Sequence, residues 1–81
     1  MRVRIRFFAA LREVIGRDAM EREVPQDVTV GRLLDDLVSE YPRLGPFAGV
    51  IQVAVNQEFT GRQQRVQPED EVAFLPPVSG G

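Results

Sequence analysis

The run Pro76-Pro77-Val78-Ser79-Gly80-Gly81 holds the groups with the clearest chemical potential in this chain. Its two prolines fix φ and favour an extended run, which sets the direction in which the segment leaves whatever precedes it. Val78 adds one apolar side chain that a partner can grip. Ser79, Gly80 and Gly81 then narrow the chain to nearly bare backbone, and glycine, with no Cβ, passes closest to a ligand or channel wall. Fully extended at about 3.3 Å per residue, Pro76 to Gly81 spans roughly 20 Å at most, enough to thread into another protein's active site. At the tip is a carboxylate, a poor electrophile and a poor sulfur donor. Adenylation by ATP would turn it into a mixed anhydride, which a sulfur nucleophile could convert to a thiocarboxylate. That group is anionic at neutral pH and nucleophilic through a soft sulfur.

The remaining composition directs attention to the same place. The 81 residues include no Cys and no His, and every basic side chain is Arg. There is therefore no disulfide framework or thiol nucleophile, and neither the commonest general base nor the commonest metal ligand. No lysine amine is present for a Schiff base or for accepting an acyl group. Metal: none expected, and no cofactor of its own. The terminus is the evident place to carry transferable sulfur. Ser-Gly-Gly is also ordinary frayed-end composition; the diproline and the element order before it favour the functional reading.

A net charge of −2 argues against nucleic acid as a partner, since nucleic-acid binding favours a concentrated basic surface. No stretch approaches the roughly 20 apolar residues of a membrane span, and the N-terminus lacks a signal-peptide pattern. A cytoplasmic protein with no membrane partner is expected. With 81 residues, 43% of them apolar, one domain with a small core is expected and a deep catalytic pocket is not.

The tail needs a body to present it. In MRVRIRFF, Val3, Ile5 and Phe7 alternate with Arg2, Arg4 and Arg6, the period of a half-buried strand. AALREVIG predicts a short helix stopped by Gly16. Met20 to Val24 reads as a second strand ended by Pro25. In TVGRLLDDLVSEYP, Thr29 is placed as an N-cap, and Val30, Leu33, Leu34, Leu37, Val38 and Tyr41 form one helical stripe. RLGPFAG reads as loop with room for a helical turn. IQVAVNQEFTG reads as a hairpin with Asn56-Gln57 at the bend, its turn type open because the I′ preference is for Asn-Gly. RQQRVQPED reads as polar connection. EVAFL is apolar on both faces, as strands covered on both sides are, and so is placed centrally.

One sheet crossed by one amphipathic helix is an α+β roll. If its first and last strands pair centrally and in parallel, it is the β-grasp arrangement of ubiquitin: a mixed sheet of about five strands, one long amphipathic helix across it, and a short helix after the first strand. The body is expected over residues 1–75 and a flexible tail over 76–81. Gly80 and Gly81 are expected to order only in complexes.

FFAALREVIG, TVGRLLDDLVSEYP, VAVNQEF and DEVAFLPPVSGG, in register over most of the chain, resemble the small, sulfur-carrying subunit of molybdopterin synthase (the MoaD family). PPVSGG is the most specific part of the likeness. The resemblance implies a β-grasp fold and a thiocarboxylate on Gly81, with Gly80 giving it slender access. It implies loading by an adenylating enzyme of the ubiquitin-E1 type that uses ATP and Mg. It further implies docking onto a larger synthase subunit, which binds the cyclic pyranopterin precursor and receives sulfur for the dithiolene of molybdopterin. Where the family often has Asp-Gly-Asp-Glu before the last strand, this chain has Pro68-Glu69-Asp70-Glu71, which leaves that turn's geometry open. Sister carriers feeding thiazole synthesis or tRNA thiolation, a ubiquitin-like protein modifier, and a plain interaction module with an incidental tail are the alternatives.

Three further residues are candidates. Phe8 has the parity of the Arg side of its strand, Leu75 has the parity opposite Val72 and Phe74, and Phe59 follows the hairpin bend. They form either an apolar patch at the tail root or core packing under a loop, and the resemblance implies a hydrophobic contact with the large subunit at these positions. Arg2, Arg4 and Arg6 read as a solvated face that also blunts edge aggregation. Glu69, Asp70 and Glu71 read as an acidic solvated turn, with steering toward a basic activating enzyme as the alternative.

Overall fold

The computed structural model describes residues 1–77. The first strand, β1 (Arg2–Phe7), places Val3, Ile5 and Phe7 in the core and turns Arg2, Arg4 and Arg6 to solvent. α1 (Ala10–Ile15) follows and ends at Gly16, whose φ of 88° supplies the left-handed cap. β2 (Ala19–Glu23) begins and ends one residue earlier than the pattern over Met20 to Val24 suggests. Val24 itself is buried.

α2 (Val30–Glu40) is capped by Thr29, whose hydroxyl accepts from the Arg32 backbone N–H at 3.2 Å. It is a helix of eleven residues, about three turns, and long only beside α1. Val30, Leu33, Leu34 and Leu37 are buried, while Val38 and Tyr41 pack at the core's margin. Pro42 ends the helix, and the following loop folds into a 3-10 helix over Pro42–Phe47.

β3 (Gln52–Val55) and β4 (Glu58–Thr60) form the expected hairpin, and β5 (Glu71–Leu75) closes the sheet. The strand order is β2-β1-β5-β3-β4, with β1 and β5 central and parallel and the other neighbours antiparallel. This is a β-grasp sheet. Its inner face and all the helices share one core, in which Phe7 and Phe74 stack at 6.2 Å.

Two expectations need correction. The apolar character of EVAFL on both faces marks a central strand but not one covered on both sides, because Ala73 and Leu75 are only half-buried on the outer face. Nor is RQQRVQPED wholly polar connection: Val66 is a core residue, held where its N–H donates to Val28 O at 2.9 Å.

Two turns flanking β5 in the sheet or sequence, both lacking glycine, adopt glycine-like backbones. Asn56 and Gln57 have φ of 51° and 72°, the two successive left-handed residues of a I′ turn. Asn56 earns its place by bridging: its side chain donates to Asp70 Oδ1 at 2.9 Å and accepts from the Glu71 N–H at 3.0 Å. Glu69, where the family often has glycine, is likewise left-handed at φ 67°. Asp70 stabilises that turn by accepting from the Gln67 N–H at 2.8 Å. A left-handed non-glycine residue costs about 1–2 kcal/mol, against roughly 0.5–1 kcal/mol of extra chain entropy for glycine. Gln57→Gly is therefore expected to stabilise the domain by about 0.5–1 kcal/mol, a rise of roughly 3–6 °C in the thermal midpoint; a fall would contradict the turn assignment.

Candidate functional site

The site is the end of the central strand, where the described chain leaves the sheet. β5 runs parallel to β1, and the ladder continues one residue past the end of β1, with the Phe8 N–H donating to Phe74 O at 3.2 Å. On the other side Leu75 pairs with Gln52 at the start of β3. Pro76 is half-buried and Pro77 exposed. Neither can donate a backbone hydrogen bond, so the diproline ends the ladder and directs the chain off the sheet between the β1–α1 turn and the start of β3. The expectations for Val78, Ser79, Gly80 and Gly81 lie outside the described residues.

The face around this exit follows from register. Arg6 pairs with Ala73, Ala73 with Ala54, and Ala54 with Phe59, so these four share one row across the outer face. Phe8, Leu75 and Gln52 form the next row toward the exit. Phe8 lies on this face, as its parity predicts, for the Arg6 guanidinium sits 4.9 Å from its ring centroid. Small side chains at Ala54 and Ala73 leave a shallow apolar floor. Phe8 and Leu75 border it at the tail root, and Phe59 borders it on β4, where its side chain is 69% exposed.

Phe8 and Leu75 are neighbours in register. Phe59 stands two strands from Leu75, about 10 Å across the sheet at the usual strand spacing, and joins them through the alanine floor rather than by contact. The core-packing alternative fails for Phe59, which no loop covers.

The other half of the outer face is charged and largely compensated. Arg2 pairs with Glu21 at 3.5 Å and Glu23 at 3.2 Å, and Arg6 lies 3.8 Å from Glu71. Exposed pairs of this kind stabilise little, but they keep the face hydrated. A partner that buries surface here meets low desolvation cost over β5, β3 and β4 and higher cost over β1 and β2. Among the described residues, no group of three or more His, Cys, Asp or Glu is placed to hold a metal, and no helix is long and apolar enough to cross a membrane.

Sequence reading missed one residue at this end. Val50 is 53% exposed and sits beside Ile51, which the β3–β5 register, carried one step on, sets opposite Pro76. It lies in a turn with no periodicity to mark its facing, so the sequence held no signal for it beyond an apolar residue next to glycine.

Fold and site together define a ubiquitin-like β-grasp protein whose central strand runs straight into a diproline. The chain belongs to the ThiS family, whose profile matches residues 5–81. It is 38% identical over 82 residues to the molybdopterin synthase sulfur carrier subunit of Mycobacterium tuberculosis, covering 100% of this chain and 99% of that one. The crystal structure of SAMP1 from Haloferax volcanii matches with a TM-score of 0.82 and 34% identity, covering 100% of both chains. A chain of the Amycolatopsis orientalis BexX/CysO complex matches with a TM-score of 0.71 and 27% identity, covering 98% of this chain and 99% of that one.

Proposed function

We propose that this chain is the sulfur-carrier subunit of molybdopterin synthase. The observation that carries the reading is the end-to-end likeness to a subunit of that name, joined to a β-grasp body whose central strand leads directly into Pro76 and the Gly-Gly terminus. A ubiquitin-E1-type enzyme, using ATP and Mg, adenylates the Gly81 carboxylate with release of pyrophosphate. A sulfur nucleophile displaces AMP and leaves a thiocarboxylate. The thiocarboxylate sulfur then attacks a carbon of cyclic pyranopterin monophosphate on the large subunit, the C–S bond replacing a C–O bond whose oxygen leaves, and water cleaves the acyl–sulfur bond. Sulfur stays on the pterin and the carboxylate of Gly81 is restored.

In this reading the acid–base groups and the pterin pocket belong to the large subunit, and this chain holds no cofactor or metal. Gly80 and Ser79 give slender access, Val78 is gripped in passing, and Pro76 and Pro77 aim the segment. Phe8, Leu75 and Phe59 border the surface that the large subunit covers. The BexX/CysO complex supports the partner arrangement, since a chain of this fold is found there in a two-protein complex. The setting is the cytoplasm, where adenylation can draw on ATP.

Reconstitution tests the reading: chain loaded with sulfur, mixed with a large synthase subunit and the pterin precursor, should yield molybdopterin. Phe59→Asp should fold normally, because its side chain is mostly in solvent. It should bind the large subunit about 10–100-fold more weakly, the cost of losing roughly 1.5–3 kcal/mol of aromatic burial. Binding at the wild-type level would remove this face from the interface.

The likeness to SAMP1, a small archaeal modifier protein, favours a second reading in which Gly81 forms an isopeptide bond to lysines of other proteins. This chain, lacking Lys, could not build side-chain-linked polymers of itself. A ladder of conjugates in cell extract would support that reading; its absence beside molybdopterin formation would set it aside.

A further inference from the structure

We propose that Val50 is a second docking anchor for the large subunit, presented at the tail root by a clamp centred on Arg62. This rests on the synthase reading above. Among the described residues only Val50 and Phe59 are large apolar side chains left exposed, and the docking face built from Phe8, Leu75 and Phe59 does not use Val50.

The turn that carries Val50 is tightly fastened. Val50 and Ile51 both donate backbone N–H bonds to Phe47 O, at 2.9 and 3.0 Å. Arg62 Nη2 donates to Ala48 O at 2.7 Å and to Ile51 O at 2.9 Å, spanning the turn from both sides. Arg62 is itself fixed at its backbone, where its carbonyl accepts from the Gly31 N–H at 2.8 Å in the first turn of α2. A Cβ at position 31 would stand 3.1 Å from that carbonyl oxygen, so glycine permits the close approach. A side chain left in solvent does not need such fastening for its own burial.

Position names the occupant. Ile51 falls opposite Pro76 in the extended register, and Gly81 stands four residues beyond Pro77. Four extended residues reach roughly 13 Å at most, so any active site that receives Gly81 must bring its walls close to the rim where Val50 stands. An open groove of about 460 Å³, lined by Ile51, Gln52, Phe59, Thr60, Gly61 and Arg62 among others, connects Phe59 with the clamp. The groove thus runs from Phe59 to Ile51, the chain neighbour of Val50, and one partner can cover both ends.

Affinity for the large subunit, measured by titration calorimetry on full-length chains, tests this. Val50→Asp is expected to weaken binding about tenfold, the scale of one lost apolar contact, with its thermal midpoint unchanged. Arg62→Ala should weaken binding several-fold and Arg62→Lys less, because a lysine can still reach one carbonyl. The double variant Val50→Asp/Arg62→Ala should bind no worse than Val50→Asp alone, since Arg62 acts through the turn. Wild-type affinity in Val50→Asp, or full additivity in the double variant, would overturn the proposal. Phe59→Asp separates the two levels: if it loses affinity while Val50→Asp does not, only the second anchor fails, and if neither does, the docking face itself is wrong.

Discussion

Replacing Gly80 and Gly81 together with alanine should leave the body folded and cut sulfur delivery by about 100-fold or more. The core is complete by Phe74, and no buried side chain among the described residues lies beyond it, so stability should not move. Delivery should fail because each new Cβ widens the segment that must enter a closed site. A misplacement of about 1 Å at reacting atoms is enough for a 10²-fold loss. On the proposed function, adenylation and transfer should both suffer, since each brings the terminus into another protein. Wild-type transfer by the double variant would mean that bare backbone is not what the tail supplies.

The second large effect lies one residue before the tail root. Phe74→Ala should destabilise the domain by about 3–5 kcal/mol, a large part of the 5–15 kcal/mol that holds a typical domain. The side chain is 1% exposed, lies on the inner face of the central strand, and stacks on Phe7. Its removal opens a cavity between β1, β5 and the helices. A drop of roughly 15 °C or more in the thermal midpoint is expected. Leu75→Ala, its chain neighbour on the outer face, should change the midpoint little and affect docking instead. The reverse pattern would mean that the parity of β5 has been misassigned.

That contrast shows what the sequence makes legible. Wherever side chains repeat with the period of an element, facing can be read directly: Val3, Ile5 and Phe7 went inward, and the stripe from Val30 to Leu37 found the core behind a Thr29 cap. Parity also placed Phe8 and Leu75 on the outer face. Legibility stops where one residue type serves two backbones or two environments. Asn56-Gln57 and Glu69 adopt left-handed turns without glycine because side-chain bonds through Asn56 and Asp70 hold them, and the bonds made by Asn56 join residues 14 positions apart or more only once the sheet exists.

The outer face of β5 was a harder case. Apolar residues on both sides of a strand fit coverage by its own chain or by another protein equally well, and only the absence of a covering element separates them. Val66 and Val50 mark the opposite limits of the same difficulty. Each is an isolated valine in irregular chain; one is sealed in the core by the Val66–Val28 backbone bond, the other stands in solvent under the Arg62 clamp. No local pattern distinguishes them.

Intact-mass spectrometry of the chain after incubation with a ubiquitin-E1-type activating enzyme, ATP, Mg and a sulfur donor reads sulfur loading at Gly81 itself. A gain of about 16 Da is expected, one oxygen replaced by sulfur, located at Gly81 by fragmentation and lost again when the large subunit and the pterin precursor are added. An unchanged mass under conditions that load a related carrier, or a gain located anywhere other than Gly81, would contradict sulfur carriage at the terminus.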